Sequence, residues 1–256
     1  MAVAVEERDE LRPFLYDDAV RNSVVIQRMF LNPEFSLAFA DAAERPAAAL
    51  ALKPASTADD PHQFAIHATD GDAARRVLRA VPPGFCLFHT ADEVSFAALR
   101  AAIDIRWWGE AILYRLDAAD FHDEPTQEVV PLRVEWAERI AKIWDPDWDA
   151  TGYVRSRIDK GPSAAILVGG EPVAWYLTHF ETPEVVMLGF LHVLDEHRRK
   201  GHAKALSRAL IRYALSVGKV PACHVYTDNA ASIRLKEGLG FRRVCLQAWG
   251  DGVVKK

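Results

Sequence analysis

Arg198-Arg199-Lys200-Gly201-His202-Ala203 is the stretch of this chain whose residue types and spacing point most directly to chemistry. Three cations precede a glycine and a small residue, where an apolar run, Val185 to Leu194, gives way to a helical pattern starting at His202. The first N–H groups of a helix have no intrahelical partner, and the helix dipole favours negative charge there. Such main-chain donors can hold a diphosphate. Gly201 lets the backbone come close to it, Ala203 is too small to block it, and Arg198, Arg199 and Lys200 add positive charge around it. The basic triplet alone would suit a solvated turn before a surface helix; the strand–loop–helix context is what favours an anion site.

The elements around that stretch are well punctuated. The polar segment Asp123-Glu124-Pro125-Thr126-Gln127-Glu128 marks a boundary, giving domains 1–124 and 125–256. After it, Glu128 to Leu132 reads as a short strand, and Val134 to Trp144 as a helix with Trp136, Ile140 and Ile143 on one face. Asp145-Pro146-Asp147 stops this helix, and Asp149 or Thr151 can cap a second one through Ile158. The apolar runs Ala164 to Val168 and Pro172 to Phe180, joined by Gly169-Gly170-Glu171, read as a hairpin. Val185 to Leu194 is the next strand. His202 to Val217 is a long helix with Leu206, Leu210, Tyr213 and Val217 on its apolar stripe and Gly218 just past its end. Ala222 to Tyr226 is a strand, Asn229 to Glu237 a short helix and Phe241 to Trp249 a last strand. A strand that feeds a helix and returns to a strand implies a parallel pair within an otherwise antiparallel sheet. The fold class is α/β with a mixed central sheet.

The first half repeats this order more weakly. An opening helix (Glu7 to Met29) precedes strands at Phe35–Ala40, Ala47–Lys53 and Gln63–Thr69. A helix (Asp72–Val81), a strand (Phe85–His89), a helix (Glu93–Ile105) and a strand (Ala111–Leu116) follow. Element order repeats although residues do not, which suggests duplication with divergence. At the matching strand–helix junction stands Thr69-Asp70-Gly71-Asp72-Ala73-Ala74, where two acidic residues would repel a diphosphate and cap the helix instead.

Composition narrows the function classes. Half of the 256 residues are hydrophobic and 26% are charged, the profile of a soluble globular chain. A net charge of -5 argues against a general nucleic-acid binder. Glu6, Glu7, Arg8, Asp9 and Glu10 interrupt any signal-peptide core, and no apolar run is long enough for a bilayer, so a cytoplasmic protein with no membrane partner is expected. The three cysteines, Cys86, Cys223 and Cys245, are far apart and form no CxxC pair. Neither a disulfide framework nor a zinc site follows. His62, His67, His89, His122 and His197 show no metal-ligand spacing, so no metal is expected.

Leu191-x-Val193 followed by Arg198-x-x-Gly201-x-Ala203 resembles the acetyl-CoA signature of the GNAT N-acetyltransferase superfamily. Asn229-x-x-Ser232-x-x-Leu235-Lys236-x-x-x-Gly240-Phe241 resembles that superfamily's second conserved block, at the expected distance. The likeness spans roughly residues 128 to 249. Trp175, His224-Val225 and the double layout also resemble the glycine N-acyltransferase-like branch. The resemblance implies two tandem GNAT-like domains, of which 1–124 is degenerate and non-catalytic and 125–256 binds acetyl-CoA or another acyl-CoA. It implies transfer of an acyl group, acetyl first, to the primary amine of a small molecule, by a monomer or a homodimer. Leu191 and Val193 would pair with the pantetheine arm as an added strand does, one N–H polarising the thioester carbonyl. Arg198 to Ala203, with His202 among them, would hold the diphosphate. Asn229 would touch the cofactor or cap its helix, and Ser232 would pack beside it.

Two family residues are missing. Many members carry a glutamate base where this chain has Met187, and a tyrosine acid where it has Lys236. Amine acylation still needs a base or a water relay. His192 is the first candidate, beside the carbonyl-polarising segment; His179 and Glu184 follow. Tyr226 is a possible acid, with a buried aromatic as the alternative. Lys236 would meet a phosphate or point into water. Cys223 lies near the groove, but nothing beside it in sequence would activate it. Trp144, Trp148 and Tyr153 border the family's acceptor pocket, where they either line an aromatic site or pack a core. Two other functions fit the same residues: a tandem transferase resembling mycothiol synthase, acting on an amino-sugar conjugate, and an acyl-CoA-binding module without turnover.

Overall fold

Turn chemistry and alternation place the strands of the computed structural model, which describes residues 2–255. The first half runs β1 (Val3–Ala4), α1 (Arg12–Leu15), α2 (Ser23–Ile26), β2 (Leu37–Ala40), β3 (Ala48–Lys53), β4 (His62–Ala68), α3 (Gly71–Leu78), β5 (Gly84–Thr90), α4 (Glu93–Ala102) and β6 (Ile103–Arg115). The second runs α5 (Ala137–Trp144), α6 (Thr151–Lys160), β7 (Ala164–Val168), β8 (Glu171–Glu181), β9 (Val185–Val193), α7 (His202–Ser216), β10 (Val220–Tyr226), α8 (Ala230–Glu237) and β11 (Arg242–Val254).

Two compact units result. The first comprises the chain up to Leu113, Val225–Asp228 and everything from Arg243 onward; the second comprises Tyr114–His224 and Asn229–Arg242. Within the first, the strand order is β1-β2-β3-β4-β5-β11-β6. β4 and β5 are parallel and joined through α3, while β2–β3 and β3–β4 are antiparallel. Within the second the order is β10-β9-β8-β7. Here β9 and β10 are parallel and joined through α7, with β7–β8 and β8–β9 antiparallel. The mixed sheet expected from the element order is thus present in both units.

Three departures from the sequence reading have local causes. The opening helix is broken into short turns, because Asp18 Oδ1 accepts from the Arg21 N–H and Asn22 Nδ2 donates to the Leu15 carbonyl at 2.9 Å. Such side chains offer backbone groups an alternative to helix bonds. The expected strand at 128–132 is reduced to a bridge between Val130 and Ala165, with the Leu132 N–H taken by Ser163 Oγ. The final strand extends to Val254, because Ala248 to Val254 pair antiparallel with Thr90 to Gly84 of β5.

In the second unit, α5 and α6 cover one face of the sheet. Trp136, Ile140, Val154 and Ile158 meet Ala165, Trp175, Leu177 and Phe190 there. Each such large side chain contributes roughly 1.5–3 kcal/mol on burial. Helix α7 buries Ala205, Leu206, Leu210, Ile211 and Ala214. Val217, expected on its stripe, is 46% exposed. No helix among the described residues is long and apolar enough to cross a membrane.

Helix α8 is held at its end by Gly240, whose φ of +93° lies in the left-handed region. A Cβ there would collide with the Asp120 carbonyl. Phe241, buried beyond it, donates its N–H to the Lys236 carbonyl at 3.0 Å. Gly240→Ala should therefore destabilise the protein by more than about 2 kcal/mol, combining left-handed strain with a backbone clash. Urea unfolding at constant m checks this, and a loss within 0.5 kcal/mol of zero, about what a neutral surface change gives, would refute the assignment.

Candidate active site

The site begins where β9 loses a neighbour. Its parallel pairing with β10 runs from Val185↔Val220 to Leu188↔Cys223, while β9 itself continues to Val193. Along β8 the register changes from Trp175↔His192 to Leu177↔Gly189, so that Tyr176 alone faces both Phe190 and Leu191. This is a β-bulge, and Phe190 sits in it at φ +62°, rare for a bulky side chain. A second irregularity follows on β8, where Thr178↔Leu188 gives way to Phe180↔Met187 and leaves His179 as the extra residue.

The two bulges bring His179 and Phe190 together, with ring centroids 4.6 Å apart. The imidazole lies against Gly189 so closely that no Cβ would fit there. Its Nδ1 is 3.2 Å from the Tyr153 hydroxyl. Burial first, then His224 and Arg157, hold His179 below the ordinary imidazole range, so the ring is neutral at pH 7. Around it stand Trp144, 4.4 Å from Phe190, and Trp148, 6.2 Å from Tyr153. Trp144, Trp148 and Tyr153 are 39%, 53% and 36% exposed, so core packing does not account for them.

Beyond Val193 a short turn, Asp195–His197, leads to α7. Gly201 precedes this helix at φ +83°, with open space where a Cβ would stand. No side chain caps α7, and its first turn holds no acidic residue. The first intrahelical bond joins the Ala205 N–H to the Gly201 carbonyl, leaving the N–H groups of His202, Ala203 and Lys204 without helical partners. An anion fits here on local grounds. Arg199, Lys200 and Lys204 are exposed around the opening. Arg198 is partly committed, donating to the Val193 carbonyl at 3.2 Å and pairing with Asp195 at 2.7 Å. The His202 side chain turns inward, its Nδ1 3.0 Å from Gln127 Oε1, so only its main chain faces the opening.

Asn229 caps α8, its Oδ1 accepting the Ser232 N–H at 3.0 Å, while its side chain stays exposed. Lys236 corrects the sequence reading: it neither meets an anion nor points into water. It is 2% exposed and donates to the Tyr176 hydroxyl at 2.7 Å. His192 stacks on Trp175 at 4.9 Å; burial, then Arg198, lower its pKa, with Asp195 opposing. Glu184 lies in the turn before β9, bonded to Thr182, roughly 17 Å of strand from the bulge. Tyr226 belongs to the first unit and packs edge-on against Trp249 at 5.2 Å, 45% exposed rather than buried. The three thiols are held above their usual range by burial, Cys86 and Cys245 to about 11, in keeping with inert cysteines.

The bulge, with Phe190 and Tyr176, was missed from the sequence, although Gly189 inside an apolar run was an available signal for it. Lys204 was missed as a fourth cation.

The Acetyltransferase (GNAT) family model matches residues 118–241. No curated protein matches the sequence. Among solved structures, a Drosophila protein is similar at TM-score 0.67 and 15% identity, over 99% of this chain and 98% of that one. A GCN5-related N-acetyltransferase from Sphaerobacter thermophilus is similar at TM-score 0.61 and 12% identity, over 100% and 96%. A tandem GNAT protein from the clavulanic acid biosynthesis pathway is similar at TM-score 0.50 and 14% identity, over 98% and 97%. Such identities speak for the fold: α/β, with mixed GNAT-type sheets in a tandem arrangement. Residues 118–241 thus match the GNAT acetyltransferase family model, and the whole chain has a fold similar to that of GNAT structures.

Proposed function

We propose that this chain is an acyl-CoA-dependent N-acyltransferase that moves an acyl group, acetyl first, to the primary amine of a small molecule. The observation that carries this reading is the uncapped, acid-free N-terminus of α7, reached directly from a strand that has shed its parallel partner. Main-chain donors of His202 to Lys204, with Arg199, Lys200 and Lys204, would hold the diphosphate. The β9 edge from Gly189 to Val193 would pair with the pantetheine amides. An N–H at the bulge would polarise the thioester carbonyl and stabilise the oxyanion formed on attack. Asn229, with Oδ1 used as a cap, keeps Nδ2 for the cofactor, and Ser232 packs beside it.

The amine would enter among Trp144, Trp148 and Tyr153, which suit an acceptor with an apolar or aromatic body. Its N–H would donate to Nε2 of neutral His179, in the tautomer whose Nδ1–H donates to the Tyr153 hydroxyl oxygen. We assign the base to His179 rather than His192, because His179 borders both the bulge and the exposed aromatic rings, whereas His192 is stacked flat on Trp175. The first half is assigned no CoA site. The α3 N-terminus is already filled by Asp70, which accepts the Ala73 N–H at 2.8 Å, and Asp72 stands beside it.

Gly201→Glu should weaken CoA binding at least about a hundredfold, since a like charge placed against the phosphates costs several kcal/mol. Gly201→Ala, which adds only left-handed strain, should bind far better than the glutamate variant. Calorimetric titration with CoA decides, with circular dichroism to verify the fold; equal affinities for Glu and Ala would overturn the cradle.

His179→Ala should lower kcat by about a hundredfold at unchanged CoA affinity, measured as thiol release from acetyl-CoA across a panel of primary amines. His179 must be neutral to accept, and its pKa lies below 6.5, so its own acid limb should fall below that value, separate from the loss of activity at higher pH that protonation of the amine itself produces. The variant should lack this acid limb. A limb below 6.5 that the variant keeps, or its absence in the wild type down to the pH at which the protein unfolds together with full activity of the variant, excludes His179. CoA binding with no thiol release for any amine would favour a binding module instead.

A further inference from the structure

Lys236, Tyr176 and Cys223 form a buried group that the roles assigned so far leave unused. They are 2%, 1% and 1% exposed. Lys236 Nζ lies 2.7 Å from the Tyr176 hydroxyl and stands over the Tyr176 and Phe241 rings at 4.6 and 5.4 Å. What faces it is the Tyr176 hydroxyl from β8, the Cys223 thiol from β10 and those two rings; no carboxylate among the described residues pairs with it. A buried lysine without a counter-ion is costly and is seldom retained for packing alone. The Tyr176 oxygen accepts from Lys236, while its own proton has no acceptor among the described residues. An uncommitted buried O–H needs somewhere to point.

The register says where. Tyr176 is the β8 residue that faces Phe190 and Leu191 across the bulge. Successive strand residues point to opposite faces, so Tyr176 leaves the sheet away from Trp175, which packs under α5 and α6. The Lys236–Tyr176 bond therefore lies on the face of the sheet opposite α5 and α6, and its β8 partner stands at the register shift with β9. Cys223 marks the last β10 residue paired with β9 before the split.

We propose that Lys236, acting through the Tyr176 hydroxyl, is the proton donor to the sulfur that leaves when the acyl group is transferred. This rests on the N-acyltransferase reading. When the tetrahedral adduct collapses, the C–S bond breaks and its electron pair stays on sulfur. The Tyr176 hydroxyl proton passes to that sulfur, and a Lys236 ammonium proton passes to the Tyr176 oxygen. The products are a neutral thiol and a neutral amine on Lys236, and solvent returns the proton between turnovers. Burial lowers the Lys236 pKa, with Cys223 opposing, which brings the donor closer to a thiol than a free lysine is, while burial raises that of Tyr176 and keeps it protonated.

The test uses the full chain with CoA as ligand and desulfo-CoA as blank, following thiolate absorbance of bound CoA against pH. In the wild type the bound thiol should ionise at lower pH than free CoA, because the donor stabilises the thiolate. In Lys236→Met and Tyr176→Phe it should return towards the free value, with CoA affinity changed less than about threefold. Lys236→Met should also lower kcat with acetyl-CoA about a hundredfold and remove the alkaline limb of the pH–rate profile. Its melting temperature should hold or rise, as a buried cation gives way to an apolar chain of similar shape; a lysine kept for stability would do the reverse. Identical thiol titrations in all three proteins would overturn the proton-donor role and leave the N-acyltransferase reading intact. A wild type that binds no CoA would overturn that reading, and this proposal with it.

Discussion

Strand β9 has two neighbours up to Leu188 and one thereafter, and almost every feature of the candidate site follows from that loss. Backbone N–H and C=O groups must find partners, so a strand edge opened inside a sheet is a standing demand for something extended to pair with. The bulge at Phe190 accompanies it. A bulky residue at φ +62° costs of order 1–3 kcal/mol, which the surroundings must offset. They do so with rings: Phe190 is 8% exposed and packs on Trp144, Tyr153 and His179. The strain and the aromatic cluster are therefore one device, and weakening the cluster would also release the bend.

That bend sorts the titratable groups. His179 is thrown out of β8 towards α6, where Tyr153 fixes its orientation. Tyr176 leaves the same strand on the opposite face and meets Lys236 of α8. His179 and the Tyr176–Lys236 pair thus leave β8 on opposite faces beside one stretch of β9, which is the arrangement the proposed acceptor and donor roles need if the amine arrives on one side and the thiolate departs on the other. Burial tunes both in the useful direction, leaving the imidazole neutral and the ammonium more acidic than usual.

How much of this could be read beforehand depended on whether the signal was local. The open start of α7 was legible because its parts are contiguous: a strand end, a glycine and an uncapped helix start within a dozen residues. The hairpin at Gly169-Gly170 and the parallel pair around α7 were legible for the same reason. The Lys236–Tyr176 bond was not, since it joins residues 60 apart and depends on a register shift that no periodicity reveals. Lysine is almost always exposed, so the ordinary expectation for Lys236 pointed the wrong way. The broken opening helix failed on a subtler point, as Asp18 and Asn22 are tolerated in helices yet here capture main-chain partners. By linear distance to the signature His192 stands nearer than His179, whereas the bulge, which no periodicity announces, is what sets His179 beside Phe190.

The last strand shows a limit of a different kind. By sequence order it closes the second half, yet residues 248–254 pair with β5, and in the first unit β11 lies between β5 and β6. Element order can be read from a chain, but the partner of a strand cannot when both halves repeat that order. The consequence is physical as well as topological. The first unit cannot complete its sheet until the final residues of the chain are present, and β5 would otherwise be left with an unpaired edge. Any excised 125–256 segment would carry β11 without its β5 partner, a free strand rich in hydrogen-bonding groups and prone to pair with whatever it meets. The two repeats of element order therefore do not coincide with two uninterrupted stretches of chain. A first half with an acid-capped α3 can then be retained for what its strands and core supply, independently of any chemistry of its own.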